Sequence, residues 1–293
     1  MSYECTAGDI CAKFNYALPN PRGQSLYLVQ PNPGVLAFRM NYILDPRNVV
    51  AQDIRGREND FKLDVNGFEY LTRPTDEAFL DKQSIETNYY AEVRQLVKEH
   101  TSADQVFIIT HRTRALKIIR GHMKTLGKIE HHRSVNYILQ SRDLLPWFQH
   151  TVHVDRTPES VAAEVKKYLG EDAERLVKGR VRFINVWRPI EHKVHHEPLG
   201  FADWQTSSES DLLPVHVDNV YAKFDVFLSR FNKTHNWYYL GHQTPSEIAM
   251  IKCYDSHPDG GANFCLHSSF IHPGCHRDNP RRRSIEVNTL VFG

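Results

Sequence analysis

Histidine and aspartate two residues apart form the pattern in this 293-residue chain that most directly indicates metal chemistry. Two imidazoles and one carboxylate on one face of an iron(II) ion form a facial triad, which leaves the other coordination positions open. Side chains alternate between the two faces of a β-strand, so both residues of a His-x-Asp triplet can reach one ion. A second histidine from a distant strand would complete such a site.

The His-x-Asp triplet is too frequent to select a site by itself. It occurs four times, at His153/Asp155, His216/Asp218, His257/Asp259 and His276/Asp278. The last two triplets lie in Pro- and Gly-rich stretches that are typical of loops. The first two lie in the strand-like segments WFQHTVHV and LLPVHVDNVY. Spacing relative to a later histidine leaves both of these pairs open as metal ligands.

That later histidine is followed by a candidate anion-binding pair. His267 lies in the strand-like segment ANFCLHSSF, and Arg282 and Ser284 open the last predicted strand fifteen residues further on. Arg282 and Ser284 share one face of that strand. A guanidinium and a hydroxyl together can bind a carboxylate, the guanidinium through two parallel hydrogen bonds. The pair therefore suits the distal carboxylate of 2-oxoglutarate.

The elements that must position these residues are mostly strands in the second half of the chain. Eight strand-like segments occur there, at 147–154, 181–190, 197–204, 220–227, 235–242, 247–256, 262–271 and 284–292. One predicted helix, 157–179, interrupts them, with Thr157 and Pro158 as N-cap and first-turn residues. Many short strands bounded by turn signals indicate a sandwich or barrel, and eight of them fit a double-sheet jelly roll.

The first half of the chain predicts a region of mixed helix and strand. Its predicted elements are a hairpin at 61–71 turning at Asn66-Gly67, helices at 75–100 and 115–126, and a short strand at 104–110. The basic segment HRTR (111–114) is expected to be a solvated loop, and the alternative is that its basic residues face the active site. We therefore expect a mainly β fold with flanking helices. It would form a single domain over 1–293, with an N-terminal α/β flanking region at 1–130 and a double-stranded β-helix core at 131–293.

Composition excludes several classes of protein. The 36 basic and 35 acidic residues give a net charge of +1, without the basic excess of a nucleic-acid binder. The N-terminus lacks the pattern of a signal peptide, and no apolar run is long enough to predict a membrane span. The five cysteines form no CxxC pair, which predicts reduced thiols in a cytoplasmic protein. A homo-oligomer is compatible with this composition.

Several motifs in fixed order resemble one family of enzymes. They are VHVDRTPES, FINVWRPI, EPLGFAD, NWYYL, IKCYDS, ANFCLHSSF and RRRSIEVNTLVF. Together they resemble the fungal and bacterial hydroxylase/desaturase family, which includes enzymes such as a gibberellin desaturase, the aspergillic-acid hydroxylase and the small component of the cephalosporin methoxylase. The resemblance covers roughly residues 60 to 293. It implies a jelly-roll oxygenase that uses Fe(II), 2-oxoglutarate and O2.

The resemblance also implies a reaction and a ligand set. The reaction is hydroxylation, desaturation or oxidative cyclisation of a small secondary metabolite or amino-acid derivative, with release of succinate and CO2. The first family motif, VHxD, matches His153 and Asp155, whereas members usually lack a histidine at position 216. The second motif, PHTxF, matches LHSSF around His267. The third, PRxSIEVR, matches RRRSIEVN and so carries over Arg282 and Ser284.

The resemblance extends to candidate residues around the metal. From the matched NVWRP segment, Asn185 and Arg188 are candidates for contact with 2-oxoglutarate or substrate, although they lie on opposite faces of a strand. Candidates for the substrate pocket are Trp187, Tyr239, Cys265 and Ser269, of which the last two are in phase with His267. Leu266 and Asn288 depart from the family's Pro and Arg, which bears on the shape of the pocket. Basic residues between 111 and 133 suit a substrate with a carboxylate.

Two other functions are compatible with the same sequence. One is a cupin-like jelly-roll metalloprotein that binds its metal through His216 and needs neither 2-oxoglutarate nor Arg282. The other is a non-catalytic partner component of a two-protein oxygenase, which would fold but consume no 2-oxoglutarate.

Overall fold

The computed structural model describes residues 8–30, 38–114, 150–219, 222–257, 261–276 and 278–293. The predicted helix at 115–126 and the start of the predicted strand at 147–154 lie outside these residues. Within the described residues, the fold is mainly β, with one sheet of ten strands and one of five. No helix among these residues has the length and apolar character needed to cross a membrane.

Fifteen strands are present in the described part of the chain. They are β1 Ile10–Leu18, β2 Leu26–Val29, β3 Arg39–Met40, β4 Ile43–Asp53, β5 Phe68–Thr72, β6 Gln105–Arg114, β7 His153–Val154, β8 Val181–Pro189, β9 Leu199–Ala202, β10 Leu212–Asp218, β11 Lys223–Ser229, β12 Trp237–Tyr239, β13 Glu247–Asp255, β14 His267–Ser269 and β15 Ser284–Phe292. The order in the larger sheet is β1-β4-β12-β9-β14-β7-β11-β10-β2-β3, and in the smaller sheet β5-β13-β8-β15-β6.

Helices flank the sheets and are short apart from two. They are α1 Leu63–Asn66, α2 Lys82–Ser84, α3 Tyr90–Thr101, α4 Pro158–Leu169 and α5 Ala173–Leu176, and a π-helical turn, Ile85–Tyr89, joins α2 to α3. Helix α4 begins as predicted, because the Thr157 side chain accepts a hydrogen bond from the Ser160 backbone N–H. The predicted helix at 75–100 begins later, at Lys82, where Asp81 caps it in place of Thr75.

Aromatic side chains fill the space between the two sheets. The ring of Phe201 in β9 lies 4.9 Å from that of Phe68 and 5.7 Å from that of Tyr70, both in β5. Phe14 of β1 and Trp237 of β12 pack at 4.3 Å between ring centroids. Large aromatic side chains bury much apolar area and favour such tilted contacts. This core holds the sheets face to face, as expected for a jelly-roll sandwich.

The other face of the smaller sheet is covered by α3. Val93 and Val97 of this helix are buried in one cluster with Ile184 and Val186 of β8 and Val287 of β15. Every residue of β8 is therefore buried. A strand that is covered on both faces is a nearly continuous apolar run, which explains why this segment was predictable from sequence.

Three local predictions differ from the structure. Residues 61–71 form α1 and β5 rather than a hairpin, because Gly67 ends the helix with a left-handed φ of 84°. Residues 111–114 continue β6 rather than forming a loop. The predicted strand at 262–271 is reduced to His267–Ser269. Pairing of β5 with β13 and of β6 with β15 outweighs the local signal in the first two cases. In the third case, only His267–Ser269 pair with neighbouring strands.

Gly67 is a position where we expect any side chain to destabilise the fold. A Cβ atom there would lie 2.6 Å from the Phe264 carbonyl oxygen, and the left-handed backbone adds strain. Gly56 is a matched control, because its φ is 86° and no atom lies within 4 Å of the position that a Cβ would take there. We expect Gly56→Ala to cost about 1–2 kcal/mol and Gly67→Ala roughly 1–3 kcal/mol more.

Urea unfolding of both variants measures this difference. Equal losses in the free energy of unfolding for Gly56→Ala and Gly67→Ala would contradict the predicted clash.

Candidate metal centre

Three of the predicted ligands meet where β7 pairs with β14. His153 and His267 are direct cross-strand partners, with ring centroids 4.3 Å apart. Asp155 follows β7, and the possible ligand atoms of the three side chains all lie within 4.8 Å of one another. All three residues are buried. Among the described residues, no other group of three His, Cys, Asp or Glu side chains comes this close together.

Backbone carbonyls set the tautomer of both imidazoles. Nδ1 of His153 lies 2.7 Å from the Thr151 carbonyl oxygen, and Nδ1 of His267 lies 3.0 Å from that of Cys265. A carbonyl oxygen can only accept, so each Nδ1 carries the proton. Each Nε2 then carries the lone pair and lies 3.5–3.6 Å from a carboxylate oxygen of Asp155. This is the arrangement by which histidines bind a metal through Nε2.

The three side chains also control each other's protonation. Burial and the neighbouring His267 lower the pKa of His153, which favours the neutral form that metals bind. Burial alone would raise the pKa of Asp155. The attraction of the carboxylate to either imidazole in its protonated form outweighs burial and holds that pKa well below its ordinary value. Against the effect of burial, the same attraction raises the pKa of His267. The site therefore offers an ionised carboxylate beside imidazole nitrogen, the donor set of a 2-His-1-carboxylate iron site.

Two asparagines orient the carboxylate. Asn185 of β8 donates from Nδ2 to Oδ2 of Asp155 at 2.5 Å, and Asn288 of β15 donates from Nδ2 to Oδ1 of Asn185 at 2.6 Å. An ionised carboxylate only accepts, so it fixes the orientation of the Asn185 amide, and that amide fixes Asn288. Asn288 stands where the family resemblance leads one to expect Arg, and it extends this chain of hydrogen bonds.

The rival His-x-Asp pair belongs to no group of three possible metal ligands among the described residues. His216 lies 2.7 Å from Asp225, and Asp218 lies 2.7 Å from Lys223, at partly exposed positions of the larger sheet. His276 and Asp278 face each other at 3.2 Å and are exposed. Asp259 lies outside the described residues.

A pocket opens from the metal ligands along the inner face of the smaller sheet. Besides the three ligands it is lined by Arg112, Arg114, Trp187, Leu199, Ser269, Arg282, Ser284 and Glu286. The register explains this set, because Glu286 lies between Arg112 and Trp187, and Ser284 between Arg114 and Pro189. Of the sequence-predicted residues, Trp187, Ser269, Arg282 and Ser284 thus reach the pocket that contains the ligands.

Arg282 is buried, and part of its guanidinium has no hydrogen-bond partner among the described residues. One of its terminal nitrogens donates to the Glu197 carbonyl oxygen at 2.5 Å, and the guanidinium carbon lies 5.8 Å from the centroid of the Trp187 ring. Its Nε is buried and has no hydrogen-bond partner within the described residues. Burial also lowers the pKa of Arg282. A buried guanidinium with an unsatisfied N–H fits an anionic ligand that would bind beside it.

Arg112 and Arg114 line the pocket, although a solvated loop is the favoured sequence prediction for their segment. The basic segment is expected to form a solvated loop, but both side chains lie on β6, on the face that carries Thr110. Burial, together with the charges of Arg282 and Arg112, lowers the pKa of Arg114 to about 9. The signal that could have revealed them is the continued alternation of the preceding strand through HRTR.

Three other predicted residues lie away from the pocket. Arg188 is on the outer face of β8, where it donates to the Tyr89 hydroxyl at 2.9 Å and to the Pro245 carbonyl oxygen. Tyr239 packs in the core, with its hydroxyl donating to Gly8. Cys265 precedes the short strand β14, so the expected alternation fails and its Sγ lies 3.7 Å from the Ala202 carbonyl oxygen.

Comparisons with known proteins agree with this site. A family model described as "YDMC: Oxidoreductase/YMDC permease-like domain" matches residues 14–292. The "Hydroxylase/desaturase efuI" of Hormonema carpetanum is 33% identical, over 87% of this chain and 85% of that protein. The "Fe(II)/2-oxoglutarate-dependent dioxygenase nvfI" of Aspergillus novofumigatus is 32% identical, over 91% of this chain and 90% of that protein.

A solved structure extends the likeness to the whole fold. The "iron and alpha-ketoglutarate-dependent endoperoxidase NvfI with different conformation" superposes with a TM-score of 0.80 at 30% identity, covering 98% of this chain and 99% of that one. The resemblance noted in the sequence motifs is thereby confirmed. This chain belongs to the hydroxylase/desaturase family of Fe(II)/2-oxoglutarate-dependent dioxygenases.

Proposed function

We propose that this chain oxidises a small secondary metabolite or amino-acid derivative with O2 and 2-oxoglutarate, at an iron(II) ion held by His153, Asp155 and His267. The observation that carries this proposal is the convergence of these three buried side chains beside the buried guanidinium of Arg282. The reaction is hydroxylation, desaturation or oxidative cyclisation, with release of succinate and CO2. Relatives named hydroxylase/desaturase and endoperoxidase support this range of outcomes.

The protein's contribution at the metal is to fix three donors on one side of the ion. Carbonyl acceptors hold both imidazoles in the Nδ1–H tautomer, and Asn185 holds the carboxylate of Asp155. Bound iron(II) would couple the oxidative decarboxylation of 2-oxoglutarate by O2 to oxidation of the substrate. Three donors leave room for exogenous ligands, whereas a closed structural site would use all coordination positions.

Arg282 and Ser284 are the proposed clamp for the distal carboxylate of 2-oxoglutarate. Both line the pocket of the metal ligands, and the unsatisfied Nε of Arg282 supports an anion beside it. Arg114, the cross-strand partner of Ser284, adds a second guanidinium to the same end of the pocket. A cosubstrate carrying two carboxylates would offset the cost of burying these cations so close together.

We also propose that residues 1–293 form one oxygenase domain. Strands from the flanking region support this, since β1 and β4 lie in the same sheet as β7 and β14, which carry the candidate metal ligands. The aromatic core between the sheets likewise draws on both parts of the chain.

Anaerobic addition of iron(II) and 2-oxoglutarate to the purified protein tests the ligand assignment. We expect a weak visible charge-transfer band that is absent from His153→Ala and His267→Ala. His216→Ala is the matched control and should keep the band, because His216 is half-exposed and paired with Asp225. A band that is lost in His216→Ala and kept in His153→Ala would move the metal site to the rival pair.

The carboxylate clamp predicts a selective loss of cosubstrate affinity. Arg282→Ala should weaken 2-oxoglutarate binding by about 1.5–3 kcal/mol, the range for hydrogen bonds to charged groups. The exposed neighbour Arg281 provides the control, since Arg281→Ala should leave affinity unchanged. Titration of the charge-transfer band with 2-oxoglutarate measures both, and equal affinity in the two variants would refute the role of Arg282.

Asn185 and Arg188 form a test pair on opposite faces of β8. Asn185→Ala removes the donor to Asp155 and should weaken metal binding by roughly 10–100-fold, as for other residues that orient metal ligands. Arg188→Gln loses its bonds to Tyr89 and Pro245, so it should lower stability and leave metal affinity unchanged. Metal titration with a competing chelator dye, together with urea unfolding, separates the two effects. Unchanged metal affinity in Asn185→Ala would count against the orienting role.

A further inference from the structure

A second, larger cavity adjoins the pocket of the metal ligands. It lies between β6, α4 and the hairpin of β10 and β11, and its volume is about 340 Å³. We call it the outer cavity and define it by Ile109, Thr110, Arg112, Ser160, Phe224 and Asn288. Its size and its partly apolar wall suit a small organic molecule larger than 2-oxoglutarate.

The outer cavity connects to the metal ligands through two side chains. Asn288 lines the cavity and is linked through Asn185 to the carboxylate of Asp155, by hydrogen bonds of 2.6 and 2.5 Å. Arg112 lines both the outer cavity and the pocket of the metal ligands. Arg112 is thus the side chain that the two cavities share, and a molecule bound in the outer cavity can contact it.

Most basic groups around the outer cavity already have partners. Arg156 forms an ion pair with Glu164 at 3.0 Å, and His216 lies 2.7 Å from Asp225. Lys223 is 2.7 Å from Asp218, which completes a third pair. Within each pair the two groups offset each other's charge. These pairs therefore offer little net attraction to a charged ligand.

Arg112 differs from these groups. Its guanidinium makes no hydrogen bond or ion pair with any described residue, although Glu286 is its cross-strand partner on β15. It is half-buried at the boundary between the outer cavity and the pocket of the metal ligands, where a bound substrate would displace water. A guanidinium in such a position binds a carboxylate strongly and with defined geometry.

We propose that the outer cavity binds the primary substrate, that this substrate is an apolar molecule carrying a carboxylate, and that Arg112 binds that carboxylate. This inference rests on the proposed function, and it adds the class of substrate and the residue that selects it. Ile109 and Phe224 would contact the apolar part of the molecule. Because Arg112 lines both cavities, an acid bound there would have its carboxylate at their boundary, and the carbons next to that carboxylate would lie nearest to the metal ligands.

Matched acids and esters test this inference without knowledge of the natural substrate. The protein is loaded anaerobically with iron(II) and 2-oxoglutarate and titrated by calorimetry with cyclohexanecarboxylate, 1-adamantanecarboxylate and 1-naphthoate, and with their methyl esters. We expect at least one acid to bind about tenfold or more tightly than its ester, the scale of one hydrogen bond to a charged group. Arg112→Gln should remove this preference, and Arg112→Lys should keep part of it.

Lys167→Gln is the matched control. Lys167 lines the same cavity but lies over the ring of Tyr168, so its loss should leave the preference for acids intact. Equal binding of every acid and its ester, including no binding of either, overturns the inference. So does a preference that survives in Arg112→Gln, or a weaker affinity for 2-oxoglutarate in that variant, which would assign Arg112 to the cosubstrate. A wild-type protein without the charge-transfer band would instead refute the proposed function itself.

Discussion

The pairing of His153 with His267 across β7 and β14 is the constraint on which the site depends. Strand β7 has only two residues, held between β11 and β14, and Asp155 follows it directly. Two imidazoles and a carboxylate are costly to bury apart from one another, because each would lose its hydration without a compensating partner. Held together, with carbonyls and Asn185 satisfying their outer atoms, they form a preorganised set of three donors.

The smaller sheet supplies the chemistry around those donors in ordered rows. Asn185 and Asn288 form the row beside Asp155, and Trp187, Glu286 and Arg112 form the next. Ser284 and Arg114 follow, close to the buried Arg282. Successive rows on one face of an antiparallel sheet are two residues apart along each strand. The side chains that line the pocket therefore change from amides in the first row to charged and aromatic groups in the next. The register of β15 between β8 and β6 thus places Asn185, Trp187, Arg112 and Arg114 on the face of the sheet that borders the candidate metal ligands.

The predicted elements match the structure best where the local sequence pattern agrees with the burial of the segment in the fold. The bounds of β8 and β15 were predicted nearly to the residue, because both are long β-rich runs buried on both faces. Arg282 and Ser284 followed from the phase of the last strand. The same reasoning was wrong for Cys265, because alternation was assumed for residues that precede the strand. It was wrong again for HRTR, where basic side chains suggested a solvated loop although Arg112 and Arg114 lie on β6 and line the pocket of the metal ligands.

Residue identity and short spacing were enough to establish the types of donor, the strand-rich second half and the family resemblance. Spacing left two His-x-Asp pairs open and the resemblance favoured His153/Asp155, the pair that the folded chain brings beside His267. The folded chain was needed to show that Asn185, rather than Arg188, faces inward, and that Arg112 and Arg114 line the pocket. These outcomes depend on the register between strands that are far apart in the chain. A shift of one residue in that register moves each side chain of the strand to the other face of the sheet. The local sequence pattern does not specify this register.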